Sequence, residues 1–208
     1  MKQILCFGDS NTYGYIPKAA KRYGWGTRWT SILNEKLGLG NYRVIEEGLC
    51  GRTTVFEDPL RDGRCGVKAI GSILETHSPL DLIIVMLGTN DCKTAYGASA
   101  EVIGKGISRL TEKIRYYAES SKILLISPIH LGDKVWQSEY DPEFSESSVE
   151  VSKKLAEVYR KISEKENMYF LDASDYAEPS DVDREHMDEK GHRKLADAVY
   201  GKINEIFN

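Results

Sequence analysis

A serine, an aspartate and a histidine stand where they could form the catalytic unit of a serine hydrolase. Ser10 follows a short apolar run, residues 4–7, that predicts a first β-strand. A serine hydroxyl is a weak nucleophile until a neighbouring base accepts its proton, and His186 is the candidate base. Asp183 precedes His186 by three residues, a spacing that lets its carboxylate reach the imidazole within one tight turn. The predicted chemistry is attack on an ester carbonyl through an acyl-enzyme.

Attack on a carbonyl also requires hydrogen-bond donors for the negative charge that develops on oxygen. Each such donor typically changes the rate by about 10²- to 10³-fold. The candidate donors are the Ser10 N–H, the Gly48 N–H and the side-chain amide of Asn90. Gly48 and Asn90 follow the apolar runs 43–45 and 82–87, so we expect all three donors at the ends of strands.

The blocks that carry these residues resemble those of the SGNH hydrolases, also called the GDSL esterase and lipase family. The matching segments are residues 6–14, 43–54, 86–91 and 183–192, and the likeness spans nearly the whole chain. They are most similar to the aryl esterase and acyltransferase branch. The resemblance implies that Ser10, Asp183 and His186 form the triad. It also implies an oxyanion hole built from Ser10, Gly48 and Asn90.

The chain departs from the pattern of the family in two segments. Asn11 replaces the leucine that usually follows the serine, a substitution also common in this branch. Arg184 and Glu185 separate the proposed aspartate and histidine, where the family more often carries glycine and an aliphatic residue. Charges there could narrow the cleft or alter the pKa of His186, so they bear on substrate preference more than on catalysis.

Residues beside these blocks are candidates for contact with substrate: Asn11, Arg52, His130 and Trp136. Arg52 lies just beyond Gly48 and could equally brace the second loop. His130 follows the apolar run 122–126, and Trp136 lies in an aromatic loop. His192 is expected at the surface, where the last helix begins.

Short apolar runs alternate with helical patterns along the chain. The runs 4–7, 43–45, 82–87, 122–126 and 168–171 are typical of parallel strands buried on both faces. Apolar stripes over residues 103–117, 151–162 and 195–206 predict helices. The order predicts a doubly wound, mostly parallel five-stranded sheet, and the resemblance implies a three-layer α/β/α, flavodoxin-like SGNH arrangement. Specificity is expected in three loops, residues 13–29, 51–66 and 129–147.

Length and composition limit the class of protein. The 208 residues suit a single domain, residues 1–208, and a net charge of −4 argues against a nucleic-acid-binding surface. No apolar stretch approaches the roughly 20 residues of a membrane span, and the start lacks a signal-peptide pattern, so a cytoplasmic location is expected. The four cysteines show no metal-site spacing, and neither a metal nor an organic cofactor is expected.

The sequence therefore predicts a serine esterase that hydrolyses, or transfers, short acyl groups from small or aryl esters. A carbohydrate O-acetylesterase is the alternative among enzymes, because aromatic loop residues could stack on sugars. The alternative outside the enzymes is a non-catalytic flavodoxin-like binding module. The expected partners are a small-molecule ester and further copies of the chain, because tight oligomers restrict the cleft in the acyltransferase branch.

Overall fold

The chain folds around a parallel sheet flanked by helices. The computed structural model describes residues 1–207 of the 208. The elements in chain order are β1 (Lys2–Gly8), α1 (Ser10–Tyr13), β2 (Tyr15–Ile16), β3 (Lys21–Arg22), α2 (Trp29–Leu37), β4 (Tyr42–Gly48), α3 (Gly66–His77), β5 (Leu82–Met86), α4 (Ala100–Tyr117), β6 (Lys122–Ser127), α5 (Glu146–Lys165), β7 (Tyr169–Asp172) and α6 (Glu189–Phe207). Short 3₁₀ turns lie at Asn90–Cys92 and Ala173–Asp175.

The strand order of the sheet reverses at β1, so a binding site is expected beyond the carboxyl end of that strand. The order is β4-β1-β5-β6-β7, and every neighbouring pair is parallel. The chain adds β4 on one side of β1 and then builds β5, β6 and β7 on the other. Ligands of such sheets bind beyond the carboxyl ends of the strands, where the order reverses. The predicted doubly wound, five-stranded parallel sheet is confirmed.

Helices cover both faces of the sheet because alternate residues of each strand point to opposite sides. In β1, Leu5 and Phe7 pack into a core cluster with buried residues of α3, α4 and α5. Ile4 and Cys6 pack into another cluster with α2 and α6. All four side chains are fully buried. This arrangement is the predicted α/β/α layering.

Several elements were not predicted from the sequence. Helix α2 buries polar and apolar residues around most of its circumference, including Thr30, Ser31 and Asn34, so it shows no apolar stripe. Helix α3 begins at Gly66 and holds a second glycine, Gly71. Strands β2 and β3 form a two-residue hairpin inside the predicted loop 13–29. These elements form through packing against the rest of the fold.

Within the described residues, the structure contains no helix long and apolar enough to cross a membrane. A single domain over residues 1–208 stays a prediction. Its last residue, Asn208, lies outside the described part of the chain.

Candidate active site

Ser10 is the first residue of α1, and a tight turn after β1 places it at the edge of the sheet. Asp9 caps the helix, because its Oδ1 accepts the Asn11 N–H at 3.0 Å. The Ser10 N–H stands at the first helical position, where it has no acceptor within the helix. A side chain on Gly8 would collide with Thr12 and with a backbone carbonyl of β5, so only glycine allows this turn.

Asp183 and His186 meet in a short turn before α6. The Oδ1 atom of Asp183 accepts the backbone N–H groups of Glu185 at 3.1 Å and of His186 at 3.0 Å. The other carboxylate oxygen, Oδ2, lies 2.8 Å from His186 Nδ1. Arg184 adopts a left-handed conformation, with φ at 62°, to close the turn. The structure brings the carboxylate and the imidazole together as their spacing predicted.

The turn that carries His186 packs against the start of α1, although His186 and Ser10 are 176 positions apart in the sequence. His186 Nε2 lies 2.9 Å from Ser10 Oγ, where the neutral ring accepts the hydroxyl hydrogen. Asn11 holds the two segments together, since its amide donates to the Glu185 carbonyl at 3.3 Å and accepts the Met187 N–H at 2.9 Å. A continuous hydrogen-bonded chain therefore runs from Ser10 through the imidazole to Asp183.

The predicted oxyanion donors lie at the ends of three adjacent strands. Asn90 begins the turn after β5, and its amide donates one hydrogen to the Arg52 carbonyl at 3.1 Å. The amide has a second hydrogen available for a ligand. Ser10 and Asn90 both line the cleft described below. Gly48 ends β4, where any side chain would collide with the backbone of Thr12 and Tyr13.

Two buried residues, Arg52 and Asp91, fix the segments of the site relative to one another. The Arg52 guanidinium donates to the Gly8 carbonyl at 2.9 Å and also contacts the Glu47 carbonyl. Asp91 accepts the Thr54 N–H with both carboxylate oxygens, each at 3.0 Å. These bonds tie the loop after β4 to the ends of β1 and β5, so the strand ends keep a fixed spacing.

The ionisable groups of the site perturb one another strongly. Burial lowers the pKa of His186, but Glu185, Asp183 and Asp9 outweigh it and raise that pKa to about 9. Burial raises the pKa of Asp183, whereas hydrogen bonds and charge from His186 outweigh it and hold that pKa below its usual value. Burial also raises the pKa of Asp9, to about 7. Clusters of ionisable groups with perturbed pKa values are typical of active sites.

Ser10 and His186 open into a cleft of about 230 Å³. Its walls are formed by Ser10, Tyr15, Lys18, Cys50, Gly51, Arg61, Asn90, Lys93, Tyr140, Asp141, Glu143, Asp183, Glu185 and His186. All three predicted loops contribute, and the Tyr15 ring packs 4.5 Å from the His186 ring. Sequence reasoning did not single out Lys18, Arg61 or Lys93, because isolated charges in loops carry no periodic or spacing signal.

The residues predicted to contact substrate lie elsewhere. Asn11 and Arg52 are buried and engaged with backbone, as described above. Trp136 packs against the core, and His130 is half-buried outside the cleft walls. The placement of these four residues does not support the predicted contacts.

His192 was wrongly expected at the surface. It is fully buried, because the start of α6 packs on α2, and its Nδ1 atom accepts the Trp29 N–H at 3.4 Å.

Among residues 1–207, no group of three or more His, Cys, Asp or Glu side chains is arranged to hold a metal ion.

Comparison with known proteins assigns the family. The model of the GDSL-like lipase/acylhydrolase family matches residues 6–194. The aryl esterase of M. smegmatis is 33% identical, with a TM-score of 0.92 and 99% of each chain covered. A carbohydrate acetylesterase family member from Sinorhizobium meliloti is also 33% identical, with a TM-score of 0.92 over 99% of this chain and 98% of that one.

Est24, a carbohydrate acetylesterase from Sinorhizobium meliloti, is 31% identical, with a TM-score of 0.92 and 100% of each chain covered. The comparison with curated proteins found no match. The alternative of a non-catalytic binding module is therefore not supported. The chain belongs to the GDSL-like lipase/acylhydrolase family, with the SGNH fold, and is a carboxylic ester hydrolase.

Proposed function

We propose that the chain hydrolyses short-acyl esters of small or aryl alcohols through an acyl-enzyme on Ser10. The observation that carries this proposal is the relay of short contacts from Ser10 Oγ to His186 Nε2, at 2.9 Å, and from His186 Nδ1 to Asp183 Oδ2, at 2.8 Å. A nucleophile within hydrogen-bond reach of a base, with the base oriented by a third group, is the arrangement that activates a serine.

In the first half-reaction, Ser10 Oγ attacks the carbonyl carbon of the ester and passes its proton to His186 Nε2. The carbonyl electron pair moves onto oxygen, where the Ser10 N–H, the Gly48 N–H and the Asn90 amide would stabilise the charge. Asp183 holds the ring tautomer and stabilises the imidazolium. The tetrahedral intermediate then collapses, and the departing alcohol takes the proton from Nε2.

In the second half-reaction, water or another alcohol attacks the acyl group on Ser10. Its proton passes to His186 Nε2, the bond between the acyl carbon and Oγ breaks, and Ser10 recovers its proton from the ring. Water yields a carboxylic acid, whereas an alcohol yields a new ester. The same residues therefore support both hydrolysis and acyl transfer.

The dimensions of the cleft favour short acyl groups. Its volume, about 230 Å³, lies below the roughly 300–1,000 Å³ of pockets that hold drug-sized ligands. Its walls also carry charged side chains on all three loops, among them Lys18, Arg61 and Glu143. Burying a long alkyl chain against these groups would be unfavourable because they would lose hydration.

The test is hydrolysis of p-nitrophenyl esters from acetate to palmitate, at neutral pH and without added metal. We expect turnover to be greatest with acetate, to fall with chain length and to disappear in Ser10→Ala. Ser72→Ala, which removes an exposed hydroxyl from α3, is the matched control and should keep full activity. Substantial turnover by folded Ser10→Ala would refute the assignment.

A carbohydrate O-acetylesterase is the second candidate. The polar cleft walls and the rings of Tyr15 and Tyr140 suit a sugar alcohol, and similar structures from Sinorhizobium meliloti are carbohydrate acetylesterases. The discriminating measurement compares kcat/KM for acetylated oligosaccharides with kcat/KM for p-nitrophenyl acetate. A clear preference for the sugar esters would favour this candidate over a general short-acyl esterase.

A further inference from the structure

Glu185 places a second carboxylate at the reacting end of the imidazole. Its Oε1 atom lies 3.7 Å from His186 Nε2, the nitrogen that contacts Ser10 Oγ. The side chain is only 8% exposed, and it lines the cleft beside Ser10. Its backbone is fixed on both sides, because its N–H donates to Asp183 and its carbonyl accepts from Asn11. The backbone of Glu185 is therefore held in place beside the triad.

The carboxylate of Glu185 has no hydrogen-bond partner among residues 1–207, although it is almost fully buried. The amine of Lys93, the cation that acts on it besides His186, is already paired with Glu143. Because the side chain lines the cleft, the hydrogen-bond donors of this carboxylate come from molecules that enter the cleft, at a point close to Nε2.

We propose that Glu185 binds the water that attacks the acyl-enzyme, an inference that rests on the proposed function. The attacking water must lie within hydrogen-bond distance of His186 Nε2, because Nε2 accepts its proton. Two hydrogen bonds of about 2.8 Å that meet at one oxygen can span the 3.7 Å between Nε2 and Glu185 Oε1. One water can therefore contact both atoms.

Each hydrogen of that water has a partner. One O–H donates to His186 Nε2, the other donates to Glu185, and an oxygen lone pair faces the acyl carbon. As the new C–O bond forms, the first proton passes to Nε2 and the carbonyl electron pair moves onto oxygen. Collapse breaks the bond to Ser10 Oγ, which takes the proton back from the ring, and the acid leaves.

An alcohol cannot satisfy both acceptors. It has a single O–H, which Nε2 requires, so its alkyl group must lie where water offers a hydrogen to Glu185. The carboxylate then loses its donor and meets an apolar group instead. Glu185 thus selects water over alcohol, and the enzyme is biased towards hydrolysis and away from acyl transfer.

The experiment measures how the acyl-enzyme divides between the two nucleophiles. The assay supplies p-nitrophenyl acetate in the presence of methanol, and acetate and methyl acetate are both quantified. A hydrogen bond to a charged group typically changes such a ratio by about tenfold or more. We expect Glu185→Leu to lower the ratio of hydrolysis to methanolysis by about this factor, and Glu185→Gln to lower it less, because its amide oxygen still accepts.

Glu157→Gln is the matched control, because it makes the same change to an exposed carboxylate on α5 that pairs with Lys161 outside the cleft. Its partition ratio should equal that of the native protein. An unchanged ratio in both Glu185 variants would overturn the inference, as would a raised KM for the ester with an unchanged ratio. If the native protein releases no p-nitrophenol, or Ser10→Ala releases as much, the proposed function fails instead.

Discussion

His186 lies between two carboxylates, with Glu185 Oε1 3.7 Å from its Nε2 atom and Asp183 Oδ2 2.8 Å from its Nδ1 atom. Burial by itself would lower the pKa of the imidazole, and these charges, with Asp9, reverse the shift. The second carboxylate belongs to the segment of Arg184 and Glu185, where the sequence departs from the family pattern. Its effect on the ring should be measurable.

The pH dependence of hydrolysis should reflect the raised pKa of His186. A ring with a pKa of about 9 is mostly protonated at neutral pH, and a protonated ring cannot accept the serine proton, so kcat/KM should rise through the neutral range, reach half its maximum near pH 9 and level off only above that pH. Glu185→Gln removes one charge and should move the rise to lower pH. A pH-stat assay with ethyl acetate measures both profiles. A native profile that levels off by pH 7 would contradict this prediction.

Asn90→Ala should reduce kcat by about 10²- to 10³-fold and change KM little, because the amide acts mainly in the transition state. Initial rates with p-nitrophenyl acetate over a range of concentrations give both constants. The melting temperature shows whether loss of the hydrogen bond to the Arg52 carbonyl disturbs the fold. An unchanged kcat in a folded variant would remove Asn90 from the oxyanion hole.

Asn11→Ala should lower both stability and kcat while leaving KM nearly constant. The substitution leaves the Glu185 carbonyl and the Met187 N–H without their buried partner, at a cost of about 1–3 kcal/mol for each group. It also loosens the approach of His186 to Ser10. Chemical denaturation and initial-rate kinetics measure the two effects.

Asn34→Ala is the control for Asn11→Ala. It removes a comparable buried hydrogen bond, to the Val44 N–H at 2.8 Å, on helix α2. It should lower stability without lowering kcat. If instead Asn11→Ala raised KM alone, the residue would contact substrate, as the sequence suggested.

Asp9→Asn should stabilise the protein at high pH. The pKa of Asp9 is raised to about 7 in the folded state, so its stabilising contribution is complete below the ordinary pKa near 4 and is lost as the pH rises towards 7. One carboxylate oxygen, Oδ2, is buried without a partner, whereas an asparagine keeps the cap on the Asn11 N–H and carries no charge.

Melting temperatures of native protein and Asp9→Asn at pH 8 and pH 5 test this expectation. The variant should melt several degrees higher at pH 8, and the difference should shrink at pH 5. Asp9→Ala, which loses the cap, should melt lower at both values. A variant Asp9→Asn that is less stable at pH 8 would show that the carboxylate is needed in its charged form.

We expect the chain to form a homo-oligomer. Trp25 is 57% exposed and Leu60 is 80% exposed, and they stand on two of the loops that wall the cleft. Large exposed apolar side chains of this kind often mark subunit contacts. Sedimentation velocity should show a species larger than 23.4 kDa, which the double substitution of Trp25 and Leu60 to glutamate dissociates. A single 23.4 kDa species in the native protein would contradict the expectation.

Much of the fold could be predicted because its signals are local. Buried parallel strands read as short apolar runs, and Ile103, Ile107, Leu110 and Ile114 form a fully buried stripe on α4 as their spacing predicted. Helix α2 gave no such signal because it is buried on most sides, polar residues included. His192 was misjudged for a related reason: the position suggested a helix start at the surface, but α2 covers it.

The sequence by itself determined the sheet, the position of Ser10, Gly48 and Asn90 at strand ends, and the pairing of Asp183 with His186. Each of these features depends on an apolar run or on a turn of a few residues, and such features are specified by residues close together in the sequence. Only the tertiary structure decided how closely Ser10 and His186 approach each other across 176 positions and that loop residues such as Lys18 wall the cleft. These contacts depend on how distant segments pack, and no spacing along the chain encodes that packing.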